Sequence, residues 1–225
     1  MTKKKKRKKL KIKSVIIFIL ILALLAGIFY LFTLIPVRTY YIKNNKYLTD
    51  EEVLKELELD NNSSFLLTAN MTKKSLVDKN KLIKEIDISR NFNLEVTIDV
   101  TEYKMLYIDS LDDKVVLENG NRVDYKNDDL PVLINKIDDK DVTKNFIKRM
   151  SKVKDEVLSM VNEITYSPNG IDKERFLFSM NDGNYVYLTS TKLNKINDYK
   201  KIIDSVEDRN GILYLDYGNY FVPKE

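Results

Sequence analysis

The hydrophobic pattern begins with an uninterrupted apolar segment near the N-terminus. No charged residue occurs between positions 14 and 37, and residues 15–35 are almost all aliphatic or aromatic. These 21 residues, rising about 1.5 Å each in a helix, span about 31 Å, which matches the ~30 Å hydrocarbon core of a bilayer. We therefore predict a transmembrane helix over residues 14–36.

A cleaved signal peptide is the alternative interpretation of this segment. Ala23, Ala26 and Gly27 resemble the small residues of a cleavage site. However, the apolar run continues past them to Phe32 and beyond, so it exceeds the usual signal-peptide core of roughly 7–15 residues. The length of the run favours a retained membrane anchor.

Strand and helix patterns alternate over the following segment. Residues 37–43 are typical of a strand, and Thr49 with Glu52 forms a capping box that begins a helix. Apolar spacing predicts a second helix over about residues 72–86. A weak strand comes next, and the strict apolar–polar alternation of residues 94–104 then predicts a half-buried antiparallel strand. The order strand, helix, helix, strand, strand indicates a compact α+β unit.

Beyond residue 105 the pattern changes to short strands separated by turn residues. Strands are predicted at 106–108, 114–117, 130–133, 175–180, 185–188, 211–217 and 220–222. Asn119-Gly120 and Asn181-Asp182-Gly183 supply hairpin turns. Pro131 keeps the residue before it extended. This half of the chain is therefore predicted to be rich in β-sheet.

Two amphipathic helices are predicted within the same half. Apolar residues recur every three or four positions at Val142, Phe146, Met150, Val153, Val157, Met160 and Ile164. This spacing predicts one long helix whose apolar stripe packs on the sheet. A coiled-coil partner is the alternative, although the repeat is too short to favour it. A shorter helix is predicted over 193–206.

Positive charge is concentrated ahead of the apolar segment. Nine basic residues and no acidic ones lie there, at Lys3, Lys4, Lys5, Lys6, Arg7, Lys8, Lys9, Lys11 and Lys13. Because cytoplasmic flanks carry the excess of Lys and Arg, this run predicts a cytoplasmic N-terminus, with residues 36–225 on the other side of the membrane. The run is also suited to attract anionic lipids of the bilayer. A docking site for a cytoplasmic partner is the alternative.

The remaining composition excludes several classes of chemistry. Of the 38 Lys and Arg residues, 29 lie beyond residue 13, against 34 Asp and Glu, so the folded part is mildly acidic and no nucleic-acid partner is expected. The sequence has no Cys, which excludes disulfides and cysteine-ligated metals. It has no His, which removes the usual general base near neutral pH and the commonest metal ligand. We expect no cofactor.

Acidic clusters are the remaining candidates for catalysis or metal binding. They lie at Asp50-Glu51-Glu52, Asp112-Asp113, Asp128-Asp129 and Asp138-Asp139. Each lies at a predicted helix start or in a polar turn, where carboxylates cap amides and stay hydrated. The last two clusters could share a Ca²⁺ ion, but they lack the alternating spacing of a calcium loop. An interaction protein is therefore favoured over an enzyme.

A series of short motifs resembles the bacterial division protein family DivIB/FtsQ over essentially the whole chain. They are strand 37–43 with Leu48-Thr49-Asp50-Glu51-Glu52, then Val100-Thr101-Glu102, Leu117-Glu118-Asn119-Gly120, Leu130-Pro131-Val132-Leu133, Tyr187-Leu188 with Lys192-Leu193, and Tyr214-Leu215-Asp216-Tyr217. In the last motif Tyr214 and Asp216 replace the usual Asp and Arg, whereas Tyr217 matches the family's Tyr. Tyr103 and Glu118 also depart from the family pattern.

The resemblance implies an α+β fold made of an N-terminal transmembrane helix, a POTRA-like domain and a mixed β-sheet domain with packed helices. The parts would be a basic cytoplasmic tail (1–13), the helix (14–36), the POTRA-like domain (37–104) and the β domain (105–225). The implied function is that of a non-catalytic divisome scaffold at the septum. Its implied partners are DivIC/FtsB-like and FtsL-like single-pass proteins.

The final strand is the surface on which the resemblance implies that a partner is received. A terminal strand tends to be a sheet edge, whose free N–H and C=O groups can template an added strand. The segment is rich in Tyr, which is enriched at interface cores. The candidate partner-binding residues are Tyr214, Leu215, Tyr217, Tyr220 and Phe221. Covering the domain's own core is the alternative role for Tyr214 and Tyr217.

Two other functions remain open from the sequence. A membrane-anchored cell-wall enzyme would need two converging carboxylates with raised pKa values in a cleft. A POTRA-containing chaperone or translocation component would bind unfolded or β-barrel substrates through the edge strand at 37–43.

Overall fold

The computed structural model describes residues 12–68, 80–206 and 210–224. Its first helix, α1, is Ile12–Thr33. This helix has a mean hydropathy of 3.1 with none of that span buried, and in the described part of the chain it is the one helix long and apolar enough to cross a membrane. It gives the chain the architecture of a single-pass membrane protein. Lys13 lies in the first turn of α1, and the other eight basic residues of the N-terminal run lie outside the described residues.

Two compact units make up the chain, and their boundary falls between Glu102 and Tyr103. The first unit contains a three-stranded sheet in the order β1–β3–β2, formed by β1 Thr39–Lys43, β2 Ile83–Asn91 and β3 Glu95–Glu102. The central strand β3 runs parallel to β1 and antiparallel to β2. The predicted strand at 94–104 is therefore confirmed, and β1 forms one edge of this sheet.

Two short helices, α2 Asp50–Glu56 and α3 Phe65–Thr68, belong to the same unit. The predicted capping box at the start of α2 is confirmed, because the Glu52 amide donates to Thr49 Oγ1 at 3.3 Å and the Thr49 amide donates to Glu52 Oε2 at 2.8 Å. Val53, at the helix centre, is fully buried, as are the three inward-facing residues of β3, Val96, Ile98 and Val100. The helix start and the central strand thus follow directly from the sequence.

The helix predicted over 72–86 is wrong in its C-terminal part. Ile83 and Ile86 lie in strand β2, and positions 72–79 lie outside the described residues. The register of β2 against β3 shifts between Ile83 and Glu85. Because one extra residue interrupts the alternation of the strand, this bulge places Ile83 and Ile86 on the same buried face. The resulting three-residue spacing imitates a helix.

The second unit is built on a nine-stranded mixed sheet in the order β12–β11–β10–β9–β8–β7–β4–β5–β6. Its strands are β4 Met105–Asp109, β5 Lys114–Leu117, β6 Arg122–Val123, β7 Val132–Leu133, β8 Val161–Tyr166, β9 Arg175–Met180, β10 Tyr185–Thr189, β11 Gly211–Tyr214 and β12 Tyr220–Pro223. Both predicted hairpin turns are confirmed: Gly120 and Gly183 have φ values of +85° and +88°, which glycine adopts without strain. The α+β class is likewise confirmed.

Helices of the second unit pack on this sheet. They are α4 Lys140–Met150, α5 Asp155–Leu158, a 3₁₀ helix at Ser190–Asp198 and α6 Tyr199–Asp204. Phe146 of α4 is fully buried and its ring stacks on that of Phe176 in β9, with centroids 4.2 Å apart. The apolar stripe of α4 therefore belongs to the domain core and not to a coiled coil.

The single long helix predicted over 142–164 is wrong beyond Met150. The chain turns after α4, forms the short helix α5, and enters strand β8, which contains Ile164. A register shift in β8 between Val161 and Glu163 buries both Val161 and Ile164. As in β2, a bulge produces a three-residue spacing inside a strand. The helix predicted at 193–206 is a 3₁₀ helix followed by α6.

Candidate partner-binding site

Strand β11 is held in the sheet through an obligatory glycine. Leu213 is 2% exposed and faces the core, while Ile212 and Tyr214 lie on the opposite face of the strand. The Gly211 amide donates to Asn184 Oδ1 at 2.8 Å. A Cβ atom at Gly211 would lie 2.2 Å from the carbonyl oxygen of Val222 in β12. Only glycine therefore permits β12 to approach β11 this closely.

Strand β12 forms one edge of the nine-stranded sheet. It pairs antiparallel with β11, and no other strand pairs with it within the described residues. The Lys224 amide donates to the Asn210 carbonyl at 2.8 Å, which makes these two residues a hydrogen-bonded pair. Because such pairs alternate along an antiparallel ladder, Tyr220 and Val222 bond to β11, and the Phe221 N–H and C=O are directed to the open edge.

Three tyrosines form a stacked row across the last three strands. The ring centroids of Tyr187 and Tyr214 are 5.4 Å apart, and those of Tyr214 and Tyr220 are 4.8 Å apart. The guanidinium of Arg175 on β9 lies 3.5 Å from the centroid of the Tyr187 ring and extends the row by a cation–π contact. At the other end, Tyr220 is 51% exposed. We call Arg175, Tyr187, Tyr214 and Tyr220 the aromatic row.

The turn between β11 and β12 is held by a buried ion pair. Asp216 is 4% exposed, and its Oδ2 accepts a hydrogen bond from Arg175 Nε at 2.8 Å. Its Oδ1 accepts from the Tyr217 amide at 2.9 Å, and the Lys192 ammonium donates to its carbonyl. Burial opposes the charge of Arg175, but the hydrogen bond and the attraction of Asp216 outweigh it and raise the pKa of Arg175. The turn is thereby fixed to β9.

A groove of about 460 Å³ lies beside β12, and Lys195, Asp198 and Asn219 contribute polar groups to its lining. Its apolar lining comes from Ile202 and Val206, from Leu213 and Leu215, and from Phe221. Phe221 packs partly buried against the core of the unit. A strand added to β12 would direct every second side chain to the same face as Phe221, so this groove is available to receive them.

The five predicted partner-binding residues do not share one surface. Tyr214 and Tyr220 lie together in the aromatic row, and Tyr217 is 56% exposed in the turn. Leu215 is 1% exposed and belongs to the core, against which Phe221 is packed. The structure therefore brings Tyr214, Tyr217 and Tyr220 to the surface near the edge, and it gives Leu215 a packing role.

Sequence reasoning missed two members of the site. Arg175 and Tyr187 complete the aromatic row, yet Arg175 precedes its partner Asp216 by 41 residues. No spacing rule links positions so far apart. Tyr187 lies at an outward position of an alternating strand, and that alternation was the one available signal.

The acidic clusters make local contacts. Asp139 caps α4, and its Oδ1 accepts from two backbone amides of the first turn at 2.8 and 3.3 Å. Asp112 accepts from Arg122 Nη1 at 2.8 Å, and Arg122 also pairs with the buried Asp109 at 2.6 Å. Among the described residues, no group of three or more Asp or Glu could hold a metal ion. These contacts give Asp112 and Asp139 structural roles.

Comparisons with known proteins cover both units. A family model described as POTRA domain, FtsQ-type, matches residues 35–103. Cell division protein DivIB of Listeria monocytogenes is 28% identical over 219 residues, which is 89% of this chain and 80% of that protein. DivIB of Bacillus subtilis is 28% identical over 195 residues, 82% and 73% of the two chains. The solved major extracytoplasmic domain of the trans isomer of DivIB from Geobacillus stearothermophilus is 24% identical, with a TM-score of 0.40, over 49% of this chain and 98% of that one.

Proposed function

We propose that this chain, which belongs to the DivIB/FtsQ family of cell division proteins and carries an FtsQ-type POTRA domain, is a scaffold that binds partner division proteins at β12. Division proteins of this family are generally non-catalytic. The proposed partners are DivIC/FtsB-like and FtsL-like single-pass proteins, met outside the cytoplasmic membrane at the septum. The observation that carries the proposal is the open edge of β12, toward which the Phe221 N–H and C=O are directed.

The proposed mode of binding is the addition of one strand of the partner to β12. Its backbone would bond to the outward amide and carbonyl of Phe221, which supply affinity without sequence preference. Its side chains would alternate between the two faces of the sheet. One set would meet Tyr214 and Tyr220, and the other would enter the groove beside Leu213 and Phe221. The rigid, stacked tyrosines suit the role of interface anchors because they lose little side-chain entropy on binding.

The membrane helix supports such an assembly. Two proteins that are each held by one helix in the same bilayer meet at a high effective concentration, so a short strand contact suffices to join them. In this proposal α1 confines the scaffold to the membrane, and the open edge of β12 selects the partner.

The experiment that tests the proposal removes β12 alone. Truncation after Asn219 deletes the edge strand while Leu213 and Leu215 stay in the core, whereas truncation after Asn210 would remove those core residues as well. We expect the full chain truncated after Asn219 to lose co-purification with the DivIC/FtsB-like protein of the same organism. Unchanged co-purification would contradict the proposal.

A point variant distinguishes the loss of a contact at β12 from the effect of adding a charge anywhere on the surface. Tyr220→Lys places a charge at the exposed end of the aromatic row, and we expect a loss of affinity of at least about tenfold, as for an interface anchor. The matched control is Ile171→Lys, because Ile171 is 85% exposed in the same unit and lies outside the edge. Equal affinities of the two variants would count against β12 as the binding site.

A further inference from the structure

The loop between β2 and β3 lies at the end of its sheet that adjoins α1. The amides of Leu34 and Ile35 still bond to carbonyls of α1, at 3.2 and 3.4 Å. Three residues later, the Arg38 amide donates to the Leu94 carbonyl at 2.9 Å. Three extended residues span about 10 Å at most. With the hydrogen bond added, the Leu94 carbonyl is held within about 13 Å of the end of the membrane helix, which is about two headgroup layers of roughly 5–8 Å each.

Apolar side chains are exposed at this end of the unit. Phe92 is 94% exposed and Leu94 is 37% exposed. Helix α3 adds Leu67, which is 50% exposed. This helix is also tied to the chain leaving α1, because the Phe65 amide donates to the Ile35 carbonyl at 2.9 Å. Two separate segments thus present apolar side chains beside the membrane helix.

Basic side chains accompany them. Arg38 and Arg90 are both exposed. Arg90 donates from Nη1 to the Leu66 carbonyl at 3.0 Å, and its guanidinium lies 6.0 Å from the centroid of the Phe65 ring. Apolar side chains next to guanidinium groups are the composition of segments that lie in the membrane interface, where the apolar groups reach the acyl boundary and the cations meet lipid phosphates.

We infer that Phe92, Leu94 and Leu67 enter the interfacial layer of the bilayer that α1 spans. Arg38 and Arg90 then contact lipid phosphates, and the first unit is seated on the membrane surface. The occupant is the lipid itself, because the loop and α3 are hydrogen-bonded to the residues that directly continue the membrane helix. The inference rests on α1 spanning the membrane and is independent of partner binding at β12.

The absence of Trp from the sequence makes a direct test possible. The full chain carrying Phe92→Trp is reconstituted into phosphatidylethanolamine–phosphatidylglycerol vesicles that contain lipids brominated near the headgroup or deep in the acyl chain. We expect blue-shifted Trp emission and at least about twofold stronger quenching by the shallow bromines than by the deep ones. The matched control, Lys43→Trp, lies at the far end of β1 and should stay unquenched.

A second variant tests whether the Trp ring itself, and not the native position of residue 92, causes the insertion. The chain has no Cys, so Phe92→Cys carries a single nitroxide label. We expect lipid-soluble oxygen to relax this label more than a water-soluble nickel complex does, and the reverse for Lys43→Cys. Emission and accessibility at position 92 equal to those of the controls would overturn the inference. So would burial that appears only when a second protein is added to the vesicles.

Discussion

Glu102 holds a loop of the first unit with one carboxylate. It accepts backbone amide bonds from Lys46, Tyr47 and Leu48 at 2.9, 2.7 and 2.9 Å. We expect Glu102→Ala to lower the free energy of unfolding by about 3 kcal/mol, since it removes three charge-assisted bonds, two of them to partly buried amides. Glu102→Gln should cost less, about 1–2 kcal/mol, because its remaining amide oxygen still accepts while its amide nitrogen cannot. Chemical denaturation measures both.

The matched control for this prediction is Glu85→Gln. Glu85 lies exposed on β2, so the change removes the same charge without removing a loop contact. We expect its effect to stay within about 0.5 kcal/mol. Equal destabilisation by Glu85→Gln and Glu102→Gln would mean that net charge, and not the loop contact, sets the stability of the unit.

Gly211 is the residue on which the approach of β12 depends. Gly211→Ala would place a methyl group 2.2 Å from the Val222 carbonyl oxygen and 2.6 Å from the Phe221 ring. We expect β12 to be displaced, with a loss of stability of about 2 kcal/mol and weaker binding of the partner. The control is Gly170→Ala, where nothing lies within 4 Å. Native stability and binding in Gly211→Ala would show that the strands separate without cost.

Single residues were predictable from the sequence where their contacts are local. The capping box joins Thr49 to Glu52 across three positions, so its pattern is legible in the sequence. The pair of Arg175 and Asp216 spans 41 residues and leaves no such pattern. The sequence pattern predicts a continuous strand over 211–217 and so places Leu215 beside the surface tyrosines, but β11 ends at Tyr214, where the turn begins.

At the scale of elements, β-bulges explain the wrong helix predictions. In β2 the register shift follows Ile83, and in β8 it follows Val161. Each bulge buries two apolar residues three positions apart, Ile83 with Ile86 and Val161 with Ile164. Periodicity cannot distinguish this spacing from one turn of a helix. Strands whose buried residues alternate without a bulge were predicted correctly. Examples are β9, β10 and the centre of β3.

The ion pair between Arg175 and Asp216 joins the β11–β12 hairpin to β9, and a double-mutant cycle measures its strength. We expect Arg175→Met to cost about 3 kcal/mol because it leaves the buried Asp216 without its partner, and Asp216→Asn to cost less because Arg175 is only partly buried. The double variant should cost clearly less than the sum, with a coupling of about 2 kcal/mol. Denaturation curves provide the stabilities, and hydrogen exchange should show faster opening of β12 in the single variants.

An exposed ion pair of similar length is the control for this cycle. Lys136 and Asp138 lie 3.0 Å apart, with side chains 69% and 81% exposed. Solvent screens such pairs, so we expect a coupling below about 0.5 kcal/mol. If the losses of stability caused by Arg175→Met and Asp216→Asn simply add in the double variant, the ion pair does not hold the hairpin. Strand pairing alone would then fix its position.

For the whole molecule, the order of parts was predictable because each depends on a long or repeated pattern. The apolar run indicated α1, and the strand–helix alternation of the first unit led to the α+β class. The position of β12 at the sheet edge was harder to predict from the sequence. Strand order depends on contacts between distant segments, and β11 pairs in parallel with β10 only after the chain has passed through two helices.

Orientation in the membrane is the last property of the whole molecule that the sequence predicts. Nine basic residues precede the apolar run, and such charge is retained in the cytoplasm. Because the chain has no Cys, single cysteines report the topology cleanly. We expect Ile171→Cys in the full chain to react with a membrane-impermeant maleimide on intact cells, and Thr2→Cys to react only after permeabilisation. Replacing the nine basic residues by Gln should mix the two orientations, so that part of the population exposes residue 2. If the chain with its nine basic residues intact showed the reverse labelling pattern, β12 would lie in the cytoplasm. Partners outside the membrane could not reach it there.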